Sequence, residues 1–354
     1  MKRPTLWPKL GLATALMLGA NAAAQNPPPT QAAPAPESTS KPQGKPKTRP
    51  IAKKPAPPHS QPAPPIPAAV ATQPAQPDDA NVDLVYGAYQ RGFYKTAFDL
   101  ATRRAENGDP KAMTMLGELN ANGLGVRRDD AKAAEWYKRA ADSGDREAMF
   151  ELAMLRLAGR GGPVNREEAA KWLASSAKLG NPKAAYNLAL LYLDGQTLPQ
   201  DLRRSAELLR IAADAGSPEA QYALATFYKE GTGVPKDAEK AARLLQAASL
   251  AGNVDAEVEY AIALLNGTGT PKNEAAAVAL LRKAARQNNP IAQNRLARVL
   301  TNGTPADRVE ALKWHTIAKT AGKGDPELDE VLAKLGPEDR AKADAAVRKW
   351  FGTK

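Results

Sequence analysis

From about residue 81 onward, small and apolar residues alternate with charged ones in a pattern that recurs every 36 residues. Within each period, apolar and small positions lie three and four residues apart, which predicts one face of an amphipathic helix. Two such stretches, separated by a glycine-containing loop, predict a pair of helices per period. A recurring residue marks each period and is taken as position 0: it is Gly108, Gly144, Gly180, Gly216, Gly252, Asn288 and Gly324.

The first helix of each unit is predicted between position 0 and a second glycine at position +15. Proline stands at the start of this helix in four units, where its missing N–H has no helical partner to lose. Small residues at +4 and +9 lie on one helical face with the apolar positions +8 and +12, so a partner helix can approach closely. The glycine at +15 favours the left-handed conformation that ends a helix. The glycines at this position are Gly123, Gly159, Gly195, Gly231, Gly267 and Gly303.

The second helix of each unit is predicted to begin near position +21 and to end at the next position 0. A preferred N-cap residue stands at +21, where its side-chain oxygen can accept from the first free N–H groups of the helix. A large side chain, Trp or Leu, follows at +28. The N-cap residues predicted in this way are Asp129, Asn165, Asp201, Asp237 and Asn273.

The sixth unit has a loop two residues shorter than the others. In this unit the pattern places the N-cap at Asp307, the tryptophan at Trp314 and the end of the helix at Gly322. A deletion confined to a loop is what a repeat built from helix pairs tolerates.

The combined pattern, for example AMTMLGELNANGLGVRRDDAKAAEWYKRAADSG in the first unit, resembles the Sel1-like repeat family. The resemblance implies an all-α fold, an α/α superhelical solenoid of helix-pair repeats similar in architecture to tetratricopeptide arrays. Six repeats are expected over 108–323. Residues 81–107 are expected to form an N-terminal capping half-repeat and residues 324–354 C-terminal capping helices, because a solenoid needs polar ends.

Residues 1–24 are typical of a secretory signal peptide. Lys2 and Arg3 precede an apolar stretch over 10–20, and the small residues 22–24 predict cleavage between Ala24 and Gln25. The apolar stretch is shorter than the roughly 20 residues that span a bilayer, which favours cleavage over an uncleaved anchor. No cysteine follows it, so a lipoprotein anchor is excluded. We therefore expect a periplasmic or secreted protein.

Residues 25–80 contain 17 of the 30 prolines of the chain. They have almost no large apolar side chains, so they are expected to form a disordered Pro-rich spacer. Basic residues outnumber acidic ones in this spacer by three. Weak contact with an anionic cell-wall polymer or a membrane surface is one interpretation, and a solvated linker held extended by its charge is the simpler one.

The residue counts argue against an enzyme. The chain has no cysteine and two histidines, of which His59 lies in the predicted spacer. His315 stands at a position that other units fill with Tyr or Leu, so it is predicted to pack in the core. No nucleophile–base pair, metal site or cofactor site is predicted. Two carboxylates facing each other across a groove would still permit glycosidase chemistry, which is the weakest of the alternatives.

The net charge of +11 does not predict a nucleic-acid-binding protein. Residues 81–354 carry 40 basic and 35 acidic side chains, which is a mixed surface rather than a stripe that follows phosphates. The expected export argues against nucleic acid as well.

A partner-binding surface is predicted where first-helix side chains turn away from the second helices, along the concave groove of such arrays. Large apolar side chains recur there at +6, +10 and +13, and exposed apolar patches usually mark contact sites. The alternative is that these side chains pack between neighbouring units. The candidate partner-binding residues are Phe150, Met154, Tyr186, Leu190, Tyr222 and Leu193.

The sequence therefore predicts an exported, non-enzymatic scaffold of the cell envelope that binds a protein partner in this groove. Through the resemblance, a role in signalling or in exopolysaccharide and envelope assembly is implied without selecting between them. The alternative is a module that binds peptidoglycan or another polysaccharide.

Overall fold

A computed structural model describes residues 83–352 of the chain. The predictions for the signal peptide and the spacer lie outside these residues. The described part is all-α, as predicted, and contains sixteen helices and no strand. The helices are α1 (Leu84–Gln90), α2 (Tyr94–Glu106), α3 (Pro110–Asn122), α4 (Asp130–Asp142), α5 (Arg146–Ala158), α6 (Arg166–Lys178), α7 (Pro182–Asp194), α8 (Leu202–Asp214), α9 (Pro218–Glu230), α10 (Ala238–Leu250), α11 (Val254–Asn266), α12 (Glu274–Arg286), α13 (Pro290–Leu300), α14 (Pro305–Thr320), α15 (Pro326–Leu332) and α16 (Pro337–Gly352).

Helices α3 to α14 form six consecutive helix pairs, in which each first helix packs against the second helix of its own pair and that of the preceding pair. In the first five pairs both helices are 13 residues long. The small residues at +4 and +9 are buried in every pair, so the two helices approach closely. Each pair thereby buries its apolar face against its neighbours, as in a solenoid.

The glycines end the helices as the pattern predicts. The five C-cap glycines from Gly123 to Gly267 adopt φ between 65° and 78°, in the left-handed region. At position 0, Asn288 takes φ 64° in place of glycine, and asparagine is among the side chains that tolerate this region best. The five predicted N-caps of the second helices, from Asp129 to Asn273, all accept a hydrogen bond from an N–H of the first turn.

The sixth pair departs from the sequence prediction in two places. Helix α13 ends at Leu300, and Gly303 does not adopt a positive φ. Helix α14 begins earlier than predicted, because its N-cap is Thr304 rather than Asp307. Asp307 instead occupies the third helical position and accepts from the Thr304 N–H, which completes a capping box. The shortened loop moves the helix start forward, since Thr304 followed by Pro305 is a better start signal than a single Asp.

Both ends of the repeat array carry additional helices. Before the first repeat, α1 and α2 form a shortened helix pair within the residues predicted to cap the array. After the sixth repeat, α15 occupies the place of a seventh first helix and α16 packs against α14. The rings of Trp314 and Trp350 meet edge to face with centroids 5.2 Å apart and attach α16 to the last repeat.

Among residues 83–352, no helix is both long enough and apolar enough to cross a membrane.

Candidate functional site

One surface of the array is formed only by the first helices of the repeats, on the side turned away from the second helices. We call it the first-helix face and define it by positions +3, +6, +7 and +10 of α3, α5, α7, α9, α11 and α13. In the second to fifth repeats the residues at these positions are Glu147, Phe150, Glu151, Met154, Lys183, Tyr186, Asn187, Leu190, Glu219, Tyr222, Ala223, Thr226, Asp255, Val258, Glu259 and Ile262.

Two of the six predicted contact residues belong to the core. Phe150 is 7% exposed and Leu190 is 4% exposed, so neither offers a surface to a partner. The ammonium group of Lys183, on the next first helix, lies 5.9 Å from the centroid of the Phe150 ring. At these two positions the alternative interpretation, packing between neighbouring repeats, describes the structure.

The other four predicted residues are half-buried. Met154, Tyr186 and Leu193 pack against the core cluster of the middle repeats with one side and reach solvent with the other. Tyr222 packs in the same way against Ala225 and its neighbours. An aromatic ring with one apolar and one solvated side suits a contact surface. The predicted apolar stripe is therefore reduced to two tyrosines flanked by Met154 and Leu193.

Carboxylates lie close to these tyrosines. Unlike the tyrosines, these carboxylates are not among the residues predicted from the sequence. Burial raises the pKa of Tyr222 to about 12, and the charges of Glu259, Asp255 and Glu230 add to the rise. The pKa of Tyr186 is raised by burial and by Glu219. Carboxylates at +3 and +7 recur along the sequence, and this recurrence was the signal available for finding them.

The N-terminal end of the face is acidic as well. The hydroxyl of Tyr89, on α1, donates to Oε1 of Glu118 at 2.5 Å, and burial together with this carboxylate raises the pKa of the tyrosine. Burial also raises the pKa of Glu151 despite the opposing charge of Lys183, and the charges of Glu118 and Glu147 add to the rise. A cation brought to this end would offset the repulsion between these carboxylates.

The two helix layers differ in charge. Over the first five repeats, the first helices carry nine carboxylates and five basic side chains. The second helices of the same repeats carry nine carboxylates and fourteen basic side chains. The difference lies entirely in the basic residues. The first-helix face is therefore the acidic side of a mildly basic array, and it attracts positively charged groups.

Two kinds of catalytic feature can be checked among residues 83–352: the environment of the histidine and groups of metal-binding side chains. His315 is buried, 2% exposed, and its Nε2 lies 2.8 Å from Oδ1 of Asp329, in the packing position that the sequence assigns to it. Within residues 83–352 no group of three or more His, Asp or Glu side chains is arranged to hold a metal ion.

Two solved structures resemble this chain over most of its repeats. A protective antigen, c5321, of uropathogenic Escherichia coli displays an SLR fold and superposes with a TM-score of 0.63 at 25% identity. That match covers 75% of this chain and 60% of the antigen, so the chain spans less than two thirds of that protein. A Sel1 repeat protein from Oxalobacter formigenes superposes with a TM-score of 0.59 at 26% identity, over 67% of this chain and 98% of that protein. No curated protein sequence matches the chain.

The repeats themselves match one family model. The Sel1 repeat model matches six consecutive segments: 110–145, 146–181, 182–217, 218–253, 254–289 and 290–323. These segments make up more than half of the chain and contain the six helix pairs from α3 to α14. Proteins built from Sel1 repeats are in general scaffolds for protein–protein interaction. The chain belongs to the Sel1 repeat family.

Proposed function

We propose that this protein is an exported, non-enzymatic scaffold of the cell envelope that binds an extended segment of a partner protein along its first-helix face. The observation that carries the proposal is the pair of half-buried tyrosines, Tyr186 and Tyr222, set among carboxylates on successive first helices. Rigid aromatic rings contribute much of the binding energy at protein interfaces, because they bury a large area at little conformational cost.

The spacing of these groups favours an extended partner. Tyr186 and Tyr222 occupy the same position in successive repeats, so the array presents the same type of contact twice, one repeat apart. Carboxylates beside the rings suit a segment that carries Lys or Arg between its apolar side chains.

Site-directed crosslinking in the native cell tests this proposal. A photoreactive amino acid at Asn187, on the first-helix face, is compared with one at Arg210, on an exposed part of α8. We expect one dominant crosslinked protein from position 187 and none from position 210. Mass spectrometry then identifies the partner and the segment that is bound.

Tyrosine variants supply the matched control. Tyr186→Ser and Tyr222→Ser should reduce the crosslinked product at least tenfold when combined. Tyr228→Ser removes a half-buried tyrosine at +12, off the first-helix face, and should leave the yield unchanged. Far-UV circular dichroism checks that the double variant and Tyr228→Ser remain helical. Equal yields from the double variant and the wild type would refute the proposal.

The export part of the proposal rests on residues 1–24 of the sequence. N-terminal sequencing of the protein from a fractionated cell tests it directly. A mature chain that begins at Gln25 in the periplasmic or secreted fraction is expected, and an intact Met1 in the cytoplasmic fraction would contradict it.

A further inference from the structure

The first-helix face changes its charge at the sixth repeat. At positions +7 and +10, the first five repeats present carboxylates, apolar residues or uncharged polar residues. The sixth repeat presents Arg295 and Arg298. The acidic face of the first five repeats thus ends in a cationic region on α13.

These arginines line a hollow of about 460 Å³ between α13 and the start of α15. Ile291 and Asn294 complete the side formed by α13, and residues 323–326 form the opposite side. Because α15 stands in the register of a seventh first helix, the hollow is the last groove between neighbouring first helices on this face.

The cationic side chains in the hollow differ in whether they form ion pairs with other residues. Arg298 donates from Nε to the buried carboxylate of Asp325 and pairs through Nη2 with Glu327 at 3.2 Å. Burial alone would raise the pKa of Asp325, but Arg298 holds it below its ordinary value, so this pair is charged. Arg298 is therefore occupied in fixing the start of α15.

Arg295 and Lys323 have no such partner. Neither side chain makes a hydrogen bond or an ion pair to another residue within 83–352, and both are exposed. The lining of the hollow thus carries three cations and one carboxylate, Asp325. Two positive charges that face the same hollow repel each other, and an anion between them offsets the repulsion.

We propose that this hollow binds a carboxylate of the partner segment, with Arg295 and Lys323 pairing with the carboxylate while Ile291 contacts the apolar side chain next to it. This inference rests on the proposed function, since it names the chemistry of the segment bound on the first-helix face. The segment it describes carries an acidic group, either a side chain or its own C-terminus, at the end that lies on the sixth repeat. Its basic and apolar residues lie on the preceding repeats, where Glu219 and Tyr222 face them.

Selection from a library of random peptides of about 12 residues tests the chemistry without knowledge of the partner. The full chain is compared with the charge-reversed variant Arg295→Glu with Lys323→Glu. The matched control, Arg210→Glu with Arg243→Glu, reverses two exposed arginines on second helices. Peptides selected by the wild type and by the control should be enriched in Asp, Glu or free C-terminal carboxylates, and peptides selected by the hollow variant should not.

A thermodynamic cycle on one selected peptide then locates the contact. By fluorescence anisotropy, we expect Glu→Gln in the peptide and charge reversal in the hollow each to weaken binding about tenfold. Their combination should weaken binding no further, because both changes remove the same pair. Additive effects would overturn the inference, and so would a phosphorylated peptide that binds tenfold more tightly than its acidic counterpart.

The outcomes separate the inference from the function on which it rests. Selected peptides that lack acidic groups but lose affinity on Tyr186→Ser would leave the first-helix face as a binding surface and overturn the hollow alone. A library that yields no peptide above background would overturn both.

Discussion

Gly117 lies directly against the ring of Tyr137, at the contact between the two helices of the first repeat. A Cβ atom at position 117 would lie 2.5 Å from both Cδ1 and Cε1 of this ring. The other five repeats have alanine at +9. At the position of Tyr137, the second to fifth repeats have leucine and the sixth has His315. The first repeat therefore exchanges a methyl group on one helix for a larger ring on the other, and the core stays filled.

This exchange predicts that Gly117→Ala is destabilising although alanine favours helices. The gain in helix propensity is about 1 kcal/mol, whereas overpacking a filled core costs about 1–3 kcal/mol. Adding Tyr137→Leu recreates the pair found in the neighbouring repeats and should recover most of the loss. Urea unfolding of the four proteins in this double-mutant cycle measures the coupling. Independent, additive effects would show that the two side chains do not compete for space.

Gly233 and Gly216 allow a second comparison, between alanine substitutions at a crowded glycine and at an open one. Both have positive φ, 65° and 89°, so alanine costs about 1 kcal/mol of backbone strain at either position. At Gly233 a Cβ atom would also lie 2.2 Å from the backbone oxygen of Leu202, in the preceding repeat, whereas nothing lies within 4 Å at Gly216. Gly233→Ala should lower the free energy of unfolding by about 2 kcal/mol more than Gly216→Ala. Equal losses would mean that the loop moves freely away from the preceding repeat.

The ion pair between Asp130 and Arg160 joins the first two repeats and predicts a pH dependence. Arg160 donates to both carboxylate oxygens, at 2.7 Å and 3.1 Å, and these bonds together with Arg128 hold the pKa of Asp130 at about 2. This value lies below the unfolded value of about 3.9. The stabilisation is therefore complete above that value and is lost as the pH falls toward 2.

Arg160→Ala should therefore reduce stability at pH 7 by on the order of 1 kcal/mol, and its stability should fall less steeply than that of the wild type between pH 4 and pH 2. Lys138→Ala breaks the exposed pair with Asp142 and serves as the control, with little effect at either pH. Thermal unfolding followed by circular dichroism across this range distinguishes the two variants. Parallel curves for wild type and Arg160→Ala would contradict the assignment.

The contact between Trp314 and Trp350 predicts that one side chain holds α16 in place. Lys313 lies over both rings, 4.1 Å and 5.3 Å from their centroids, so it adds a cation–π contact to each. Trp350→Ala should expose Trp314 to water and lower stability by about 2–3 kcal/mol. Hydrogen exchange should accelerate across 337–352 and stay unchanged in α9. Phe351→Ala, which removes an exposed ring next to it, should change neither quantity.

Within the described residues, most of the helix boundaries could be read from local sequence. Proline at the first helical position, Asp or Asn before it and glycine after the last turn each act within a few residues of the boundary, so one repeat contains the information. In the sixth repeat, the start of α14 depends on two residues together. Thr304 and Asp307 form one capping box there, so a prediction from Asp307 alone starts the helix three residues too late.

Which side chains form the contact surface depends on distances between neighbouring repeats, and the sequence does not contain these distances. Phe150 and Tyr186 occupy the same position in successive repeats, yet one is buried and the other half-buried. Phe150 belongs to the core cluster of the middle repeats, whereas Tyr186 only packs against the outside of that cluster. Arg295 and Lys323 lie 28 positions apart in the chain and line one hollow only because the loop between α14 and α15 returns beside α13.

By itself, then, the sequence determined the helix pairs, their number and their 36-residue period, because helix starts, helix ends and small-residue contacts are local and recur with the repeat. Only the tertiary structure decided which side chains of the first helices remain accessible and where the charge of the face changes sign. Accessibility and charge at any point are set by side chains from two or three neighbouring repeats at once, and no single period of the sequence contains them.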